Sequence, residues 1–145
     1  MEFLNKEATK IFEKLNNQLD DGYLKIENSP YMPLTMQNLD WPIYTNWGKA
    51  KTISLCNYYI FQGQIMFTPE MHFLVIDWCN HSSVFNDNLR IIPYLYFLSN
   101  LGVYNDSIIT QNSVLSQINP DLQKHQTEFA NDWLINIRDK GYLNR

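Results

Sequence analysis

Two short constellations in the chain combine residue types that do chemistry. Glu70 and His72 stand two positions apart, so on a strand their side chains point to one face. A carboxylate beside an imidazole is an acid/base pair. Asp77, Cys79 and His81 repeat that spacing, and all three types ligate zinc or another transition metal. A closed metal site needs a fourth ligand and a catalytic one needs at least three. The other histidines, His72 and His125, fall in no His-x-x-x-His pattern, and no Cys-x-x-Cys pair exists. The plainer alternatives are a Glu70 that accepts backbone hydrogen bonds in the turn after Pro69, a half-exposed His72, and a Cys79 that acts as a small buried hydrophobe. No nucleophile or metal completes the Glu70–His72 pair. The sequence therefore nominates no catalytic residue, no metal and no cofactor.

Aromatic side chains are the third feature. Tyr58, Tyr59, Phe61, Phe67, Phe73 and Trp78 crowd one region, and Tyr94, Tyr96 and Phe97 another. An exposed aromatic sheet can stack nucleic-acid bases, but that mode also needs a basic groove. Lys and Arg are sparse around these segments, so an aromatic core is the expectation. Phosphate loops, dinucleotide fingerprints, nucleophile elbows and kinase signatures do not occur.

The elements that must position these residues follow from periodicity and punctuation. Residues 2–21 read as a helix with Leu4, Ala8, Ile11, Leu15 and Leu19 on one stripe and Phe12 beside it; Asp20-Asp21-Gly22 stops it. Residues 23–27 and 31–39 read as strands around the turn Asn28-Ser29-Pro30, with Pro30 and Pro33 arguing for an edge. Residues 40–49 read as a loop pinned by Trp41 and Trp47. Residues 52–61 form a strand, Gln62-Gly63 a hairpin turn, and 64–67 the return. Thr68-Pro69-Glu70 reads as another turn before an apolar strand at 71–78. A polar loop at 79–88, strands at 89–97 and 103–109, and a polar connector at 110–119 follow. Asn119 caps a last helix with Pro120 at its first position, running to Asp139 with Leu122, Phe129, Ala130, Trp133, Leu134 and Ile137 inward.

Composition frames these elements. The 145 residues are 45% hydrophobic and 14% aromatic, enough for one core without staples. Charged residues are 18%, below the usual ~25%, so amides and hydroxyls must cover the surface. Eleven Lys and Arg face fifteen Asp and Glu, a net charge of −4. That balance argues against nucleic acid and anionic membrane as partners. The first residues lack the basic start and apolar run of a signal peptide, and no stretch is apolar enough to span a bilayer. A cytoplasmic setting is expected, with Cys56 and Cys79 as free thiols.

The run Gly22-Tyr23-Leu24-Lys25-Ile26-Glu27-Asn28-Ser29-Pro30-Tyr31-Met32-Pro33-Leu34 resembles a bacterial family of domains of unknown function found in plasmid and mobile-element regions. Asn57-Tyr58-Tyr59-Ile60-Phe61-Gln62-Gly63-Gln64-Ile65-Met66-Phe67-Thr68-Pro69-Glu70-Met71 is similar to that family's central hairpin. Gly102-Val103-Tyr104 and the segment from Trp133 to Gly141 fit its tail. The family pattern carries His where Asn57 stands, Glu-Gln-Asn where Ile60-Phe61-Gln62 stands, and Asp at Gln64 and Thr68, so polar hairpin groups are apolar or amide here. The resemblance implies a bacterial, mobile-element setting and supplies no activity.

The expectation from all of this is a single α+β domain over residues 1–145. It has an antiparallel meander of about five to seven strands, with the terminal helices packed on one face. The binding candidates are Lys25, Tyr31, Tyr58, Tyr59, Glu70 and His72. The leading functional reading is a non-enzymatic accessory or binding module with a protein partner or a second copy as ligand. The alternative is a small enzyme using Glu70 and His72. A concave pocket holding Glu70, His72 and a third polar group would favour the second reading, a flat apolar patch the first.

Overall fold

The structure is a computed structural model and describes residues 1–77 and 89–144. Asn5 begins the first helix, α1 (Lys6–Asn16), by accepting a hydrogen bond from Ala8 N at 2.8 Å, which satisfies an otherwise orphaned amide. The predicted stripe of Ala8, Ile11, Phe12 and Leu15 is buried. The helix is shorter than residues 2–21 at both ends because other partners claim the flanks. Leu4 N donates to Ile91 O, and the backbone of Glu2 exchanges hydrogen bonds with the Gln123 amide. At the other end Asp20 bridges to Tyr23, with Asp21 and Gly22 at φ 52° and 79° forming the turn.

Among the described residues nine strands form one sheet: β1 (Tyr23–Asn28), β2 (Tyr31–Asn38), β3 (Ile43–Thr45), β4 (Gly48–Phe61), β5 (Gln64–Asp77), β6 (Leu89–Leu98), β7 (Val103–Asp106), β8 (Ile108–Gln111) and β9 (Val114–Ile118). Its order is β7-β6-β5-β4-β3-β9-β8, and β2 pairs with the middle of β4 and carries β1 outside it. Gln62 and Gly63, at φ 51° and 77°, join β4 to β5 as the expected two-residue hairpin turn. The second helix, α2 (Pro120–Asp139), starts as predicted, with the Asn119 side chain accepting from Leu122 N and Pro120 in the first turn.

The architecture is α+β, but the sheet is a mixed one and not a simple antiparallel meander. β3 and β9 pair in parallel at Tyr44 and Val114, with Tyr44 N donating to Ser113 O at 2.8 Å. Short turns dictate antiparallel neighbours only for consecutive strands, whereas β3 and β9 are brought together by long-range packing. Because β7 runs into β8 through Ser107 alone, the path nearly closes into a barrel. Buried Ser107 locks that junction: its N–H and hydroxyl both donate to Tyr94 O, and its carbonyl accepts from Asn119 N.

Three local readings are corrected. The segment 40–49 contains β3. The polar connector at 110–119 is the β8–β9 hairpin, turned by Asn112 and Ser113 at φ 52° and 65°. The turn at Thr68-Pro69-Glu70 is absent, because β5 runs straight through it. Its register with β4 steps from Cys56↔Glu70 to Tyr58↔Phe67, so Thr68 and Pro69 together oppose Asn57. A bulge of this kind accommodates a proline that cannot donate to the ladder.

The sheet's two faces bury different clusters. Ile53, Leu55, Met71, Phe73 and Val75 join the buried faces of α1 and α2 in one core, where the Phe12 and Phe73 rings meet edge-on at 5.0 Å. Ala50, Leu74, Ile76, Ile92, Tyr94 and Ile108 fill the barrel interior. The inward side of α2 also differs from its apolar pattern. Gln123, Gln126 and Thr127 are buried, while Phe129 is 39% exposed. Gln123 escapes the usual cost of burying an amide because it donates to Glu2 O, Pro93 O and Thr127 Oγ1. Among the described residues no helix is long and apolar enough to cross a membrane.

Candidate functional site

β5 presents Glu70, His72, Leu74 and Ile76 to the barrel interior. The last two are sealed in apolar packing, and the first two approach the open end. There His72 Nε2 lies 2.6 Å from Glu70 Oε2, with both side chains mostly buried. The β6 bulge opposite, where His72 pairs with Leu95 and Phe73 with Pro93, inserts Tyr94 as an extra residue. Its ring meets the His72 ring edge-on, centroids 6.0 Å apart. Burial pushes the Tyr94 phenol above its ordinary range, opposed by a side-chain hydrogen bond with Trp41.

His72 and Tyr94 form the floor of a cleft of about 620 Å³ at the barrel mouth. Trp41, Pro42 and Ile43 make one wall, and Tyr104, Asp106 and Ile109 the other. Tyr104 and Asp106 alternate on β7 and so share a face. Burial raises the Asp106 carboxyl above its ordinary value, offset by a hydrogen bond from Ile108 N at 3.1 Å and by the nearby His72. Barrel mouths with apolar walls and a few convergent polar groups are a common setting for small-ligand sites. Chemically the arrangement offers an imidazole oriented by one carboxylate, a second carboxylate close by, and a buried phenol. Such a set can accept and return a proton or anchor a polar group.

The six binding candidates divide into separate places. Glu70 and His72 meet each other, and of the two His72 lines the cleft. Lys25 stands in the same cross-sheet row as Glu70, through the pairs Lys25↔Thr35, Thr35↔Cys56 and Cys56↔Glu70. Three strand spacings put it roughly 14 Å away. Its ammonium lies 3.1 Å from Glu27 and 5.9 Å from the Tyr58 ring centroid, and Tyr58, then Glu27, raises its pKa. Tyr31 is half exposed with Lys140 Nζ 5.2 Å over its ring. Tyr59 pairs with Met66 on the projecting hairpin. None of Lys25, Tyr31, Tyr58 and Tyr59 lines the cleft.

Of the metal-type triad, Asp77 ends β5, and Cys79 and His81 lie outside the described residues. Among the described residues no three His, Cys, Asp or Glu gather in a way that would hold a metal ion. The sequence reading missed Trp41, Tyr104 and Asp106 as cleft residues. The signal for the last two was the alternation in Val103-Tyr104-Asn105-Asp106.

Residues 6–143 match the family model described as Domain of unknown function (DUF6908). The chain belongs to this family. Comparison with curated proteins and with solved structures finds no match in either. In this DUF6908 domain Asn57, where the resembled pattern carries His, is a buried structural group. Its side chain accepts from Trp133 Nε1 at 2.9 Å and donates to Pro33 O at 3.2 Å. It points toward α2, away from the barrel mouth that holds Glu70 and His72.

Proposed function

We propose that this DUF6908 domain is a binding module that takes a small molecule into the barrel-mouth cleft, with the Glu70–His72 pair as its polar anchor. The observation that carries this reading is the cleft itself: about 620 Å³, walled by aromatic and aliphatic side chains, with His72 held 2.6 Å from Glu70 at its floor. A concave pocket floored by His72, with Glu70 holding that imidazole from behind, favours a small ligand over a flat protein contact. The same pair is competent for proton transfer should the bound molecule carry an acidic C–H or O–H group. The bacterial, mobile-element neighbourhood implied by the resemblance, with a cytoplasmic location, forms the proposed setting.

The test is a fragment screen read by amide chemical shifts of the labelled protein. Hits are expected to perturb residues 41–43, 72, 94 and 104–110. Thr110 lies on the exposed rim of the cleft, so Thr110→Trp should fill the opening and abolish those shifts. Hits that gather elsewhere, or that persist in Thr110→Trp, overturn the reading.

A second reading, docking of a protein partner, is favoured by the tip of the β4–β5 hairpin. Ile60 and Ile65 face each other there at 67% and 55% exposure, beside Phe61 at 56%. Capture of a host protein by the native domain but not by an Ile60→Lys/Ile65→Lys variant supports it, and equal capture by both removes it.

A further inference from the structure

The charge pattern of the cleft specifies the class of ligand it would take. Trp41, Tyr94 and Tyr104 present aromatic surface to one space, Asp106 presents a carboxyl group to it, and His72, held from behind by Glu70, presents its imidazole. Among the described residues lining the cleft there is no Lys or Arg. Basic lining belongs to other clefts. Lys6 and Arg90 line one beside Phe3 and Leu4, and Lys49 and Lys51 line another that shares Trp41 and Pro42 with the barrel mouth. The segment 78–88 contains no Lys or Arg either.

An anionic ligand would meet the Asp106 carboxyl group with no Lys or Arg beside it to offset the charge, and like charges at close range repel. A cation meets the opposite situation. Aromatic faces attract it through their quadrupoles, tryptophan most strongly, and aromatic cages completed by a carboxylate are the usual solution for ammonium groups. Asp106 supplies that carboxylate. Among the described residues no Lys or Arg pairs with it. Ile108 N donates a hydrogen bond to it, and partial desolvation by its surroundings disfavours its ionised form. A bound cation would relieve that penalty.

Resting on the cleft-binding reading above, we infer that the ligand of this site is a small organic cation, an amine or quaternary ammonium group seated among Trp41, Tyr94, Tyr104 and Asp106. Apolar side chains below, Leu74 and Ile76 among them, close the barrel interior. The cationic head is therefore held at the mouth, and any apolar substituent lies along Pro42, Ile43 and Ile109 toward solvent.

Three probes of one shape and different charge test this: benzyltrimethylammonium, benzyl alcohol and benzoate. Each is titrated into the full chain while amide shifts and the Trp41 indole resonance are followed. The cation is expected to shift the cleft resonances with at least tenfold tighter affinity than the alcohol, and benzoate to leave them unmoved. Asp106→Asn should weaken the cation about tenfold and leave the alcohol unchanged. Tyr104→Leu, at a position 62% exposed, should also weaken the cation without disturbing the fold. Equal affinities for all three probes, or tighter benzoate binding at the cleft, overturn the cation assignment while the cleft-binding reading stands. No cleft shift with any probe overturns both.

Discussion

Trp133 Nε1 on α2 donates to Asn57 Oδ1 on β4 across 2.9 Å, in a contact sealed from water on both sides. Asn57 in turn donates to Pro33 O, and Tyr142, just past α2, donates its hydroxyl to Met32 O. The C-terminal helix is thus bolted to β2 and β4 by polar groups inside an apolar core. Trp133→Ala removes both the ring and the donor and should cost roughly 3–5 kcal/mol. Trp133→Phe keeps most of the burial but leaves Asn57 Oδ1 unpaired, a loss of about 1–3 kcal/mol. Equilibrium urea denaturation orders the two variants, and a Phe variant as stable as the parent would show that the bond adds nothing.

Gln123 ties three segments together through one amide, fastening Glu2 and Pro93 to α2. Gln123→Leu fills similar space but deserts buried Pro93 O and the backbone of Glu2. The expected loss is about 2–3 kcal/mol. Hydrogen exchange should quicken at the Leu4 amide, which donates to Ile91 O. Unchanged protection at Leu4 would contradict the assigned role.

Burial pushes the Cys56 thiol from an ordinary value of 9.0 up to about 12, with Glu70 adding to the rise and a hydrogen bond from Thr35 opposing it. The folded thiol holds its proton more tightly than the unfolded one. That contribution to stability is therefore complete below pH 9 and is lost as pH rises toward about 12. Between these limits the native protein should lose up to about 1.4 kcal/mol per pH unit relative to Cys56→Ala. Parallel alkaline denaturation series check this. At neutral pH a disulfide reagent should react with Cys56 only as the protein unfolds.

Asp106 titrates in the same sense at the acid end. Its folded pKa is raised by burial, so the stability it contributes is present at low pH and declines as pH rises through the folded value. Asp106→Asn keeps an acceptor for Ile108 N and removes the titration. The variant should therefore gain stability relative to the parent as the pH is raised from the acid range to neutrality. Thermal melts at a series of pH values measure the difference, and a difference independent of pH would count against the partial desolvation of the Asp106 carboxyl.

Elements with strong local signals were legible in the chain. Asn119-Pro120 started α2 as its types require, Gln62-Gly63 turned the β4–β5 hairpin, and the stripe Ala8, Ile11, Phe12, Leu15 faced inward. The β8–β9 hairpin was misread as a polar connector, although Asn112 readily takes the positive φ such a turn needs. Its polar neighbours masked it. The shared face of Glu70 and His72 was legible as one alternative, since residues two apart on a strand share a face, but the turn read at Thr68-Pro69-Glu70 competed with it, and β5 running through that segment decided between them.

Tertiary structure decided the rest. Whether Pro69 ended a strand depended on a bulge that set it and Thr68 against Asn57, and a bulge is a property of two strands in register. Whether Gln123 and Thr127 were surface or core depended on the backbone carbonyls that packing brought to them. The cleft came from closure. Trp41, Tyr94, Tyr104 and Asp106 lie on distant segments and met His72 only because β3 paired with β9 and Ser107 joined β7 to β8. Local sequence fixes dihedral preferences and faces over a few residues. Which faces meet is set by burial and hydrogen bonding summed over the whole chain.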